Sequence, residues 1–239
     1  MRKTAMAVTM ALGAFAAAPT SAQVVSLNFE GVNSTYPSGF AQIRDFYNGG
    51  TSGDGTTGTN YGISFGSNAL AICLNTPGVS CSNTSRGGVG DPGSTRGGLF
   101  FINGSETFLN VDAGFTTGFS LNYVSVSFAG AVNVYDGLNG TGNVLASLNL
   151  TPNGVGCGAP YGAGFCPFGA AGVAFNGTAR SIGFGGVANQ IVFDDITFGS
   201  ITPGGTVPEP ATWAMLIAGV GMAGGALRRR RGAARPSLA

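Results

Sequence analysis

Apolar residues follow two patterns along this chain: uncharged blocks near both ends, and short alternating segments between them. Alternation marks strands, because successive side chains of a strand point to opposite faces. Residues 24–30 open the series, 62–74 form a longer apolar run, and 98–102 and 107–111 are brief. Residues 119–128 read FSLNYVSVSF, in which Phe119, Leu121 and Tyr123 share one face and Val124, Val126 and Phe128 the other. Such a change of phase predicts a bulge or a strand buried on both sides. Segments 132–135, 144–150, 173–175, 180–184 and 190–198 complete a set of about ten strands, with no soluble helix among them.

Turn chemistry separates these segments. Residues 50–58 (GTSGDGTTG) and 136–142 (DGLNGTG) and the pair Asn176 and Gly177 are dense in side chains that accept positive φ or cap their own backbone. Short strands with that punctuation predict an all-β fold, an antiparallel β-sandwich of jelly-roll type over residues 23–203. The Cys, Trp, Cys signature of immunoglobulin domains is missing, since the single tryptophan, Trp213, lies near the C-terminus.

The end blocks have targeting grammar. Arg2 and Lys3 precede the uncharged stretch 4–18, and the small residues Thr20 and Ala22 follow. That order predicts a secretory signal peptide over 1–22, cut by signal peptidase between Ala22 and Gln23. At the other end a linker, 204–210, leads into the uncharged block 211–227 and then a basic tail, 228–239, holding Arg228, Arg229, Arg230, Arg231 and Arg235. The block is at the lower limit of what crosses a bilayer. Together with the arginines it predicts a transmembrane helix whose basic end stays cytoplasmic.

Residues 207–231, VPEPATWAMLIAGVGMAGGALRRRR, resemble the PEP-CTERM sorting signal in its Trp-Ala-Met variant, found in some exopolysaccharide-producing Gram-negative bacteria. The likeness rests on Pro208, Glu209 and Pro210, on Trp213, Ala214 and Met215, on a glycine-containing block and on the terminal arginines. It implies recognition by a membrane-embedded exosortase, cleavage near the motif, and release or transfer to the cell surface, with the tail held transiently in the inner membrane.

Export changes the charge picture. Residues 23–207 hold four arginines against nine carboxylates and no lysine, a formal charge of −5. A basic footprint for nucleic acid is therefore absent. The chain has no histidine, which removes the commonest general base and zinc ligand. Gly62, Ser64 and Gly66 fit the spacing of a nucleophile elbow, yet nothing in the chain matches the histidine that would activate Ser64. A non-enzymatic surface or matrix protein is the expectation, with exopolysaccharide as its ligand. A carboxylate-dependent glycan hydrolase or lyase is the enzymatic alternative, because such chemistry needs only two acids.

Cys73, Cys81, Cys157 and Cys166 all fall in the exported part, where disulfides are permitted. Their spacing favours local bridges, Cys73 to Cys81 and Cys157 to Cys166, over a four-thiolate zinc site. Glu30 ends the first strand, and Asp194 and Asp195 interrupt the last, an apolar strand in which a carboxylate must be solvated, paired or liganded. The opening Phe29, Glu30, Gly31 and the closing Phe193, Asp194, Asp195, Ile196 resemble carbohydrate-binding-module-like jelly rolls. That resemblance implies a structural Ca²⁺ held by Glu30, Asp194 and Asp195; salt bridges to Arg44 or Arg180 and plain solvation are the alternatives. Tyr47, Tyr61 and Tyr161 are the loop aromatics placed to stack on sugar rings.

Overall fold

The computed structural model describes residues 24–33, 39–74, 96–156, 165–204 and 219–220. Twelve strands are found among them: β1 (Val25–Leu27), β2 (Phe40–Gln42), β3 (Ile63–Phe65), β4 (Leu70–Cys73), β5 (Gly97–Phe100), β6 (Glu106–Phe115), β7 (Gly118–Ser125), β8 (Gly130–Tyr135), β9 (Val144–Leu150), β10 (Gly169–Ala174), β11 (Ala179–Gly185) and β12 (Ile191–Phe198). Seven form one sheet, ordered β10-β7-β12-β5-β4-β2 with β1 also paired to β12, and five form a second, β3-β6-β11-β8-β9. All pairings are antiparallel, as the alternating segments and turn-rich connections require.

The main core lies between the sheets. Phe119, Leu121, Phe193 and Ile196 of the larger sheet meet Leu109, Ile182, Phe184 and Val132 of the smaller. Edge-to-face rings such as Phe119 on Phe184 (6.2 Å between centroids) fill the space. A second cluster, with Ile72, Phe100, Val124, Val192 and Phe165, sits on the other face of the larger sheet. This explains the phase change within 119–128. Strand β7 is buried on both faces, with Tyr123 in one cluster and Val124 in the other, while Phe128 lies beyond its end and is exposed.

Two expected strands differ in detail. The run 62–74 is broken by a turn at 66–69, where the half-buried Asn68 donates its amide to the carbonyls of Asn103 and Glu106 at 3.2 and 2.8 Å. Strand β12 carries a bulge between Asp194 and Thr197, with Asp195 at φ 46. The alternation expected across 190–198 therefore shifts, so that Phe193 and Ile196 both face the main core.

The membrane-spanning helix expected at 211–227 is corrected: no helix among the described residues is long and apolar enough to cross a membrane. Of that block only Gly219 and Val220 are described, both with helical backbone. The expectation of a tail held transiently in the inner membrane is corrected to the same extent: among the described residues no membrane-crossing helix stands behind it. The signal-peptide segment 1–22 lies outside the described residues. Cys73 and Cys166 are each disulfide-bonded. Cys81 and Cys157 lie outside the described residues.

The turn after β8 shows how local chemistry closes a hairpin. Asp136 accepts the side-chain amide of Asn143 at 2.8 Å and its backbone N–H at 2.7 Å. Those bonds, the side-chain one foremost, hold the Asp136 carboxyl below its ordinary 3.8. A depressed carboxylate contributes stability that is present above the unfolded pKa and lost as pH falls through the folded one. Replacing Asn143 by Ala is expected to raise the Asp136 titration midpoint towards 3.8, read by NMR of its carboxyl carbon. An unmoved midpoint would show that the bonds are not its cause.

Candidate functional site

Strand β1 sets the geometry of an open cleft among the described residues. Leu27 and Phe29 turn inward and are fully buried, so Ser26 and Asn28 face outward. Phe29 has φ 57 and Gly31 φ 78, which bends the chain away from β12 immediately after the strand. The Phe29 ring packs edge-on against Tyr47 and Phe65, each at 6.0 Å, and its N–H donates to the Tyr47 hydroxyl at 2.9 Å. Glu30 follows, and its Oε1 accepts the backbone N–H groups of Arg96 and Gly97 at 2.8 and 3.1 Å. One carboxylate oxygen thus ties the β1 end to the start of β5.

The opposite wall is the loop from 44 to 62. Phe46 and Tyr47 are buried, their rings meeting edge-on at 4.8 Å, and Tyr61 lies over Tyr47 in a stacked pair at 6.3 Å and 27°. The Tyr61 N–H bonds to the Tyr47 carbonyl at 2.8 Å, which fixes the outer ring through its backbone. Between the walls is an open cleft of about 320 Å³, whose lining includes Ser26, Asn28, Glu30, Thr57, Thr59 and Tyr61. Tyr61 is 38% exposed, whereas Tyr47 is only 5% exposed. Tyr47 lines the cleft floor but is largely covered, and the exposed ring is that of Tyr61.

The expected site residues are therefore divided. Glu30, Tyr47 and Tyr61 come together at this cleft. Tyr161 lies outside the described residues. Asp194 is fully buried, and its Oδ1 accepts the N–H of Asp195 at 2.8 Å. Asp195 accepts from the Asn122 amide at 3.4 Å. Among the described residues no group of three or more acidic or cysteine side chains is gathered to hold a metal, so Glu30, Asp194 and Asp195 do not form the expected calcium set. Glu30 instead bonds backbone amides. The alternative salt bridges have other occupants too: Arg44 donates to Gln42 and Arg180 to the carbonyl of Asp112. Ser64 sits in the middle of β3, away from any strand-to-helix elbow.

Ser26, Asn28, Thr57 and Thr59 were absent from the expected site. The first two were within reach of sequence reasoning, because inward Leu27 and Phe29 oblige their neighbours to face outward. No such periodicity exists around Thr57 and Thr59, which belong to an irregular loop.

The tail completes the picture. Residues 206–231 match the PEP-CTERM protein-sorting motif. The match takes in Pro208, Glu209, Pro210, Trp213 and Arg228 to Arg231, the residues on which the resemblance was drawn. The chain is an exported, surface-directed protein, and an exosortase-like enzyme is its partner through this motif. No curated protein matches the chain. Among solved structures, the K2 cleaved adhesin domain of Lys-gingipain is 15% identical, with 55% of this chain and 89% of that one covered at a TM-score of 0.34. The K3 cleaved adhesin domain of Lys-gingipain from Porphyromonas gingivalis is 14% identical, with 56% and 93% covered at 0.33. Likeness at this level carries no argument about the domain. The resemblance to carbohydrate-binding-module jelly rolls gains no support from it.

Proposed function

We propose that the exported domain is a non-catalytic surface module that binds a neutral exopolysaccharide in the cleft between β1 and the 44–62 loop. It would reach the surface after signal peptidase removes residues 1–22, leaving Gln23 at the front. The observation that carries the reading is the pairing of one exposed, backbone-fixed ring, Tyr61, with the hydroxyl, amide and carboxylate groups of Ser26, Thr57, Thr59, Asn28 and Glu30. A pyranose ring has an apolar face that suits the tyrosine and a rim of hydroxyls that suits those polar groups. The formal charge of −5 over residues 23–207 and the Glu30 carboxylate in the wall favour an uncharged polymer over a uronic-acid one.

Affinity electrophoresis of the protein recovered from the cell surface tests this, with dextran as the neutral polymer and alginate as the acidic one. Retardation by dextran and none by alginate is expected, and Tyr61→Ala should weaken it by about tenfold, the effect of losing one well-placed aromatic anchor. Equal mobility in both gels, or an unchanged Tyr61→Ala protein, would overturn the proposal.

A further inference from the structure

The two sides of the sandwich end differently. On one side the outer strands are β2 and β3, of three residues each. Short strands are one way in which native sheets blunt an edge against unwanted pairing. On the other side the outer strands are β9 and β10, of seven and six residues, which lie beside each other. Neither contains a proline or a charged residue, and residues 137–179 carry no Asp, Glu, Lys or Arg at all. The β10 ladder runs without a register shift, and the one shift between β8 and β9 is confined to the Tyr135 end.

A strand bonded on one side only turns alternate N–H and C=O groups outward. Among the described residues no backbone group of β9 or β10 bonds outside its single ladder, and no further bonded partner exists for these strands. Two regular, uncharged edges are thus left open side by side.

We propose that this side is a self-assembly edge, at which a second copy of the chain pairs its β9 antiparallel to β9 about a twofold axis. An antiparallel strand pair is self-complementary, so a single edge serves both copies. The uncharged run 137–179 gives a charged foreign peptide nothing to pair with and gives two copies nothing to repel. Strand β9 is preferred over β10 because it is longer and presents the exposed side chains Val144, Ser147 and Asn149, where β10 offers mainly glycine and alanine. Pairing would join two five-stranded sheets edge to edge. Delivery to a surface confines copies together and raises their effective concentration.

Sedimentation velocity of the processed protein, across a concentration series, provides the test. A reversible dimer is expected. Ser147 is the midpoint of β9, so the twofold axis sets it opposite its own copy, and Ser147→Lys places like charges face to face. Association should weaken by about tenfold. Thr51→Lys, the same charge change in the exposed 44–62 loop, should leave association unchanged. Ser147 also bonds Asn133 at 2.7 Å, so Val144→Lys serves as a second edge variant if the first unfolds at lower temperature. Amide exchange should slow in β9 as concentration rises and stay constant in β2. A monomer at every concentration, edge variants that associate like the wild type, or concentration-dependent protection confined to β10 would each overturn the proposal.

Discussion

Replacing Gly97 by Ala should destabilise the domain by about 3 kcal/mol or more, the upper range for forced overpacking and a large part of the 5–15 kcal/mol that holds a typical domain together. Gly97 opens β5 and is buried where the β1 end crosses it. A methyl group there would stand 2.5 Å from the Phe29 carbonyl oxygen and 2.8 Å from that of Asn28, with the Phe29 carbonyl carbon nearer still. These are backbone atoms, so no side-chain rotation gives relief. Phe29 cannot retreat either: its ring is fully buried between Tyr47 and Phe65, and its N–H is committed to the Tyr47 hydroxyl. The substitution also displaces the N–H that Gly97 gives to Glu30, loosening the wall of the cleft. Urea unfolding of Gly97→Ala measures the loss. Gly31→Ala is the comparison, because Gly31 has open space around its would-be methyl and only a positive φ of 78 to lose, about 1–2 kcal/mol. A Gly97→Ala protein within 1 kcal/mol of wild type, on the scale where ordinary surface changes fall below about 0.5, would show that the crossing yields.

The same crossing marks the boundary of what the sequence could disclose. Strand β9 was legible at both ends, since 144–150 alternates between clear turn signals. Strand β2 was not: Phe40, Ala41 and Gln42 are too few for a period, and they are a strand only because Leu70, Ala71 and Ile72 stand opposite them. The bulge at Asp194 was similarly hidden, because two apolar faces make either phase of 190–198 look acceptable. At the cleft, Tyr47 and Tyr61 both stand among asparagines and glycines, and nothing local says which is buried. The difference comes from Phe29, 18 residues before Tyr47, whose ring and N–H hold that tyrosine down. Glu30 was expected as a calcium ligand through the resemblance of the domain ends to carbohydrate-binding modules. Its partners, the amides of Arg96 and Gly97, are backbone groups with no side-chain signature that could have pointed elsewhere. Sequence patterning finds elements through their own periodicity, whereas a site assembled from chain crossings depends on distant register.

Changing Pro208, Glu209 and Pro210 together to alanine should leave the protein at the cell with its terminal arginines still attached. The sorting motif begins close to the folded sandwich. Thr197 Oγ1 accepts the Gly204 N–H at 3.0 Å, and the Ile201 side chain packs against Gly118, so the exit segment is held down through Gly204. Three residues then separate Gly204 from Pro208, an extended reach of about 13 Å across four steps. Within so short a tether the prolines matter, because they fix φ, remove backbone donors and keep the preceding residue out of helical conformation. Glu209 is the only charge between Asp195 and Arg228, so the motif also carries the one acidic group available for recognition there. Alanines remove the prolines' backbone restriction and the charge at once, while the sandwich, whose last strand ends at Phe198, keeps its bonds. Intact mass of surface-extracted protein decides the matter. The wild type should lack Arg228 to Arg231, and the triple variant should retain them in nearly every molecule. Equal masses for the two would mean that the enzyme reads the uncharged block and arginines rather than the Pro-Glu-Pro element. Unfolding curves that coincide would confirm that the change acts on handling of the tail and not on the domain it delivers.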